Sequence, residues 1–300
     1  MPKQDYKPIT PTKWNYASGW IKALEKDIIS NSQFQTIISG KTDNDLLKSL
    51  GETIYKNLLK NQHDLWNSEE LLDKFVQERL NSIGKASPQP IVSDYFKVKP
   101  KMQQLKIHLK NELSKQGEDK GKKLQMVDFV SDQKMLTKLY EIGEKSENEL
   151  IKKYTDSYIE LRNLYALWRL KSMNKGYGNL ESIIFLFPGS QFNLKYMQDL
   201  YETPLEKWDE SLTEPGYQGI FIEDKDLDGR KAIPNIEKRC DDYLLNLIKP
   251  AKYIPFGIEV VFSYVVAFLA EILNIKIIII GKLNKLAEDI IQKKVRDSYV

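Results

Sequence analysis

The residues that could do chemistry in this 300-residue chain are few, and each falls short of the pattern its chemistry needs. Gly40-Lys41-Thr42 has the ending of a phosphate-binding loop. That motif requires another glycine five residues before Gly40, but Gln35 stands there, inside a helical stretch rather than after a strand. Asp224, Asp226, Asp228 and Gly229 reproduce the first half of a calcium-binding EF-hand loop, with oxygens at ligand positions 1, 3 and 5. The second half fails: Asn235 replaces the bidentate glutamate, Lys231 occupies the aliphatic position, and Pro234 disturbs the exiting helix. The histidines, His63 and His108, have no His or Cys at i+3 or i+4 and lie far in sequence from Cys240. No G-x-S-x-G, C-x-x-C or H-E-x-x-H occurs, and adjacent carboxylates such as Glu69-Glu70 and Asp241-Asp242 read as helix surface. The expectation is a protein with no catalytic residue, no cofactor and no metal.

The elements that would carry any site are helices. From Trp14 to Ile29, Ala17, Trp20, Ile21, Leu24, Ile28 and Ile29 form an i, i+3, i+4 stripe opposite Lys22, Glu25 and Lys26. Ser68 has the type of an N-cap, with Glu69 and Glu70 in the first turn and Leu71, Leu72, Phe75, Val76 and Leu80 as the stripe. Breaks fall at Ala86 to Pro90, at Gly117 to Lys123 and at Glu214 to Pro234. Gly219-Ile220-Phe221-Ile222 is too short to build a sheet on, and Ile277 to Ile280 is ambiguous by period alone.

The C-terminal fifth is the most apolar. The charge-free run Val260 to Ala270 spans only about 16 Å as a helix, roughly half of a bilayer's hydrocarbon, so it is expected to lie inside protein. Asn274 and Lys276 interrupt a second apolar run, Ile277 to Ile280. Gly281 is expected to end the helix in a left-handed cap, making a sharp Gly-Lys turn before a short final helix. A similar order appears near the start, where Phe34 to Ser39, Gly40-Lys41-Thr42, Asp45 to Leu50 and Thr53-Ile54-Tyr55 parallel Ile277 to Ile280, Gly281-Lys282, Leu286 to Ile291 and Ser298-Tyr299. Looser copies read at Leu105 to Lys110 and at Leu161 to Arg169, the latter before Pro188-Gly189 and Leu194 to Leu200. Such units must stack, because one alone cannot bury its apolar face.

At 41% apolar and 29% charged, the composition is that of an ordinary globular protein. Met1 to Thr12 carries no apolar signal region, and a single cysteine fits a reducing compartment, so a cytoplasmic location is expected. Net charge is +3 but uneven: Lys97 to Lys123 holds nine lysines against Glu112, Glu118 and Asp119, whereas Asp199 to Asp242 holds thirteen acidic residues. Lys115, Lys120, Lys122 and Lys123 in the basic block are candidates for meeting an acidic surface or anionic headgroups. Nucleic acid is not the expected partner, because the block contains no Trp, Tyr or Phe on which bases could stack.

Gly257-Ile258-Glu259 with Tyr264, then Ala270 through Asn284, resembles the C-terminal signature of the C subunits of V/A-type rotary ATPases, the relatives of the eukaryotic V-ATPase d subunit. The spacing of Glu271, Asn274, Lys276, Gly281 and Lys282 carries the likeness. Asn163-Leu164 with Arg169 is similar to the family's Asn-Leu-x4-Arg helix, Pro188-Gly189 to its Pro-Gly turn, and Ala17 to Tyr55 to its opening block. Lys276 departs from an expected arginine, Phe268-Leu269 from a more polar pair, and Gln103-Gln104-Leu105 from the first His-Asn-Leu helix.

The resemblance implies an all-α, funnel-shaped protein of three similar helical domains, at 13–115, 116–215 and 216–300 after an extended tail at 1–12, with the first and last units packed together. It implies a non-catalytic central-stalk component, peripheral on the cytoplasmic face, that links the rotor shaft to the membrane proteolipid ring and passes torque for proton or other ion transport, or for ATP synthesis. A helical scaffold unrelated to rotary ATPases is the alternative, and a calcium-responsive protein a further one. For the buried acid, the expectation is that Lys276, Arg162 or Arg169 neutralises Glu271.

Overall fold

The computed structural model describes residues 9–114, 120–173, 180, 183–222 and 232–300, and for 114 and 120–125 the backbone alone. Among these residues the fold is all-α, with no strand. In chain order the helices are α1 (Asn15–Glu25), α2 (Asn31–Ser39), α3 (Asp43–Leu50), α4 (Gln62–Trp66), α5 (Ser68–Ala86), α6 (Ile91–Ser114), α7 (Lys120–Lys145), α8 (Glu149–Ser172), α9 (Leu194–Glu202), α10 (Trp208–Ser211), α11 (Ile233–Ile248), α12 (Ile258–Leu283) and α13 (Glu288–Lys294). They form two compact units. One takes residues Ser93–Ile236; the other combines Ile9–Val92 with Glu237–Val300.

In the discontinuous unit, α12 is the core helix, packed against α1, α5 and α13. Val260 to Phe268, Glu271, Ile272, Asn274, Ile275, Ile278 and Ile279 are all buried. By length and hydropathy this 26-residue helix could cross a membrane, whereas the sequence reading measured only the charge-free run Val260 to Ala270 and found no segment of spanning length. Two thirds of its most apolar window is instead buried inside the unit.

Gly281 does not cap α12. The helix runs two residues past it, and the left-handed residue is Lys285, at φ 55°. What Gly281 supplies is space: a Cβ there would stand 2.7 Å from Ile291 Cγ1 on α13, so its absence lets α13 pack closely. Gly40 follows the end of α2 in extended backbone (φ −58°, ψ 130°). Thr42 beyond it begins α3 as half of a capping box with Asp45, which is a structural use for the phosphate-loop look-alike. The α5 cap is also shifted: Asn67 takes the N-cap position and Ser68 is already helical.

In the continuous unit, α8 holds the equivalent place. It packs on α7 and α9 and buries Ile159, Glu160, Leu161, Asn163, Leu164, Leu167 and Trp168. Gly143 on α7 allows the approach, since a Cβ there would meet the Thr155 hydroxyl at 2.9 Å. α6 and α7 run antiparallel, with Lys106 paired to Asp128 and Asp132, and Lys110 to Asp128.

Two glycine substitutions should move stability in opposite directions. Gly281→Leu forces Ile291 aside and is expected to cost about 1–3 kcal/mol. Gly19→Ala on α1, where a Cβ meets nothing within 4 Å, is expected to gain about 0.5–1 kcal/mol from helix propensity. Urea denaturation of both variants measures the difference.

Candidate functional site

Buried and half-buried polar side chains of α8 and α12 form one pattern used twice. Glu160, Asn163 and Lys171 on α8 have the same spacing as Glu271, Asn274 and Lys282 on α12. At about 100° per residue, positions i, i+3 and i+11 fall on one helix face and extend over roughly 16 Å. Each residue type binds the same kind of partner in both helices.

The glutamates accept from a tyrosine and from a backbone N–H just before a helix. Glu271 Oε1 accepts from the Tyr55 hydroxyl at 2.6 Å, and its Oε2 from the Ile29 N–H at 2.5 Å. Glu160 accepts from the Tyr217 hydroxyl at 2.5 Å, the Gln191 N–H at 2.9 Å and the Ser190 hydroxyl at 2.9 Å. Ile29 leads into α2 and Gln191 into α9, helices of nine residues each. Gln191 and Tyr217 each lie 162 positions after Ile29 and Tyr55.

The asparagines clamp a single extended residue through both of its backbone groups. Asn163 donates to the Phe185 carbonyl and accepts from its N–H, both at 2.9 Å. Asn274 does the same for Arg296, at 3.0 and 2.8 Å. In each case the clamped residue lies 22 positions beyond the asparagine. With no neighbouring strand to satisfy it, that backbone needs a side-chain partner, and a carboxamide offers one donor and one acceptor at the right separation. The lysines complete the set: Lys282 Nζ donates to the Gly40 carbonyl at 2.7 Å, and Lys171 Nζ to that of Tyr201.

The cation expected beside Glu271 is not Lys276, Arg162 or Arg169. Lys276 points away and pairs with the exposed Asp73 of α5 at 2.6 Å. Arg162 and Arg169 lie exposed on α8, with Arg169 over the Tyr165 ring at 5.7 Å. Arg79 of α5 is the positive charge that acts on Glu271, from a place over the Phe75 and Phe268 rings. Burial nevertheless dominates and pushes the Glu271 carboxyl up to about 7, against the hydrogen bonds from Tyr55 and Ile29 and the pull of Arg79. The Tyr55 hydroxyl is raised well above its ordinary value by burial, with the Glu271 charge adding to it.

Of the other candidates, Gly189 adopts a left-handed φ of 88° and turns the chain from Phe187 toward α9. The Pro188 carbonyl accepts from the Tyr140 hydroxyl. Lys120, Lys122 and Lys123 belong to the first turn of α7, which starts inside the stretch read as a connection. Lys115, the side chains of these three lysines and the Asp224 to Asp228 loop lie outside the described residues. Among the described residues no group of three or more His, Cys, Asp or Glu could hold a metal ion.

Sequence reasoning missed Glu160, Lys171, Tyr217, Ile29 and Gln191. The signal was present as the twice-used Glu-x2-Asn-x7-Lys spacing. It was obscured by pairing Phe34 to Tyr55 with Ile277 to Tyr299 as copies. Those segments are partners: Lys282 Nζ donates to the Gly40 carbonyl at 2.7 Å, and α13 packs on α2.

Both clamp helices fall within residues 118–294, and that stretch matches the family profile of the ATP synthase (C/AC39) subunit over more than half of the chain. The chain belongs to the ATP synthase (C/AC39) subunit family. No curated protein matches it in sequence. As a C/AC39 subunit it is a structural component of a V/A-type ATPase, a membrane-associated complex. The resemblance carried by Asn163, Glu271, Asn274 and Lys282 therefore named the right family.

Within this C/AC39 subunit, Asn163→Ala and Asn274→Ala each strand a part-buried backbone pair and are expected to cost about 1–3 kcal/mol. Lys276→Ala should cost under about 1 kcal/mol, because Asp73 is exposed and the pair is solvent-screened. Thermal or urea unfolding of the three variants checks the ranking.

Proposed function

We propose that this C/AC39 subunit is a non-catalytic coupling piece of the central stalk, joining the rotor shaft to the membrane proteolipid ring and carrying torque between them. The observation that supports it is the family match over 118–294, which takes in the core helix of each unit. The physical requirement of the role is stiffness, since a loosely packed spacer would absorb rotation as elastic strain. Interiors closed by side-chain clamps onto backbone, as in both units here, meet that requirement better than apolar contact alone, because hydrogen bonds fix direction as well as distance. A place on the cytoplasmic face, a three-domain partition and a role for the basic block belong to the same reading.

In this reading the basic stretch that ends in α7, with Lys115, Lys120, Lys122 and Lys123, meets an acidic rotor surface or anionic headgroups. The experiment is a pull-down of the tagged chain from detergent-solubilised membranes. Recovery of both head and ring components supports the coupling role, and recovery of neither would overturn it. Replacing Lys120, Lys122 and Lys123 together by Gln should weaken ring binding and flatten its salt dependence. Unchanged affinity and salt slope would remove those lysines from the interface.

A further inference from the structure

Between α11 and α12 the chain makes a short turn that shows its apolar side chains to solvent. Lys249–Tyr253 is a single 3₁₀ turn, and Ile254, Pro255 and Phe256 lead from it to Gly257 at the start of α12. Tyr253, 89% exposed, is the most exposed large apolar side chain among the described residues. Phe256, Pro250 and Pro255 are exposed on the same turn. The turn is nevertheless held firmly. The Ser18 hydroxyl of α1 donates to the Gly257 carbonyl and accepts from the Gly257 N–H, and Lys22 Nζ donates to the Lys252 carbonyl at 3.0 Å. Gly257 itself takes a φ of 142°, which side-chain-bearing residues avoid.

The backbone of this turn asks little of water. Pro250 and Pro255 have no N–H, the Ile254 N–H bonds the Ala251 carbonyl, and the Gly257 N–H bonds Ser18. A turn with so few spare donors can leave water at low cost. Its cations, by contrast, lack a counter-ion: neither Lys249 nor Lys252 forms an ion pair among the described residues. Of the neighbouring acids, Glu25 is bonded to Lys22 at 2.9 Å and Glu259 turns back over Gly257. The Lys252 ammonium lies over the Tyr299 ring at 4.9 Å. Burial holds it below its ordinary value, the Lys249 charge adds to this, and Glu25 acts the other way without reversing it. An anion at the turn would offset the repulsion between the two lysines.

We propose that this turn docks on an anionic lipid surface, with Tyr253 and Phe256 entering the boundary between headgroups and acyl chains while Lys249 and Lys252 neutralise lipid phosphates. Tyrosine and phenylalanine beside lysines are the side chains that bilayer interfaces favour, and a few of them suffice for reversible docking. One turn falls well short of the roughly 800 Å² per partner that a stable protein interface takes. The lipid contact deepens the membrane-associated reading of the family and stands without the torque role.

The test uses the full chain with Cys240→Ser and Pro255→Cys, labelled at position 255 with an environment-sensitive fluorophore. Vesicles of phosphatidylcholine alone are compared with vesicles carrying about 30% phosphatidylglycerol. The expected result is a blue shift of the label on the anionic vesicles only, kept when Lys120, Lys122 and Lys123 are all replaced by Gln, which separates this turn from the basic block. In that triple-Gln background, Tyr253→Ser with Phe256→Ser should weaken binding to anionic vesicles by about tenfold or more. Lys249→Gln should weaken it about fivefold. A label that stays in water on anionic vesicles, or shifts equally on both kinds, would overturn the proposal. So would a label shielded only in the assembled complex, which assigns the turn to a protein partner. Should the labelled variant fold poorly, hydrogen exchange of wild-type residues 249–257, slowed by anionic and not by zwitterionic vesicles, reads the same contact. Recovery of head and ring components is a separate measurement, so the lipid contact and the coupling role fail independently.

Discussion

An all-helical protein that contains extended connections faces one constraint before any other: buried backbone groups outside the helices need hydrogen-bond partners, and no sheet supplies them among the described residues. Here the partners are side chains on the core helices. A carboxylate collects the N–H that precedes a helix, and a carboxamide takes both groups of an extended residue. A lysine reaches a carbonyl at or near the far end of the same nine-residue helix. Placing the three on one face lets a single helix hold separate segments while its remaining surface stays apolar.

The arrangement explains why so apolar a helix as α12 keeps Glu271 and Asn274. Burying a carboxylate is costly, and the raised value of Glu271 is the measure of that cost. Replacing it by an apolar residue would leave the Ile29 N–H and the Tyr55 hydroxyl unpaired. The aromatic contacts around it, Tyr55 on Phe75, Phe75 on Phe268 and Tyr264 stacked on Phe268, hold the tyrosine hydroxyl in reach. The polar clamp and the apolar core depend on each other.

The same logic relates the discontinuous unit to the continuous one. After α8 the chain passes from the clamped Phe185 through the Pro188-Gly189 turn directly to Gln191 and α9. The equivalents of those pieces, Arg296 and Ile29, lie far apart in sequence and are brought together by Ser298, which binds the Ile29 carbonyl and the Asn31 side chain. Where the continuous unit has a covalent turn, the other has hydrogen bonds, and its closure is correspondingly more exposed to any change in them.

The helical class is legible in the chain alone, because apolar residues recur at helical spacing and no run alternates long enough to make a sheet. So is the family, because Asn163 with Arg169, and Glu271, Asn274, Gly281 and Lys282, stand at spacings similar to the signature of the family. The continuity of α12 is not, since a glycine followed by lysine has the same composition whether it ends a helix or makes room for Ile291. Nor are the groups that face Glu271, which depend on how the helices pack. Lys276 is five residues away along the helix and turned outward to Asp73, whereas Tyr55, Ile29 and Arg79 arrive from elements remote in sequence. Residue types report which hydrogen bonds a helix can make; packing alone selects the partners, because burial sets which of them must be made.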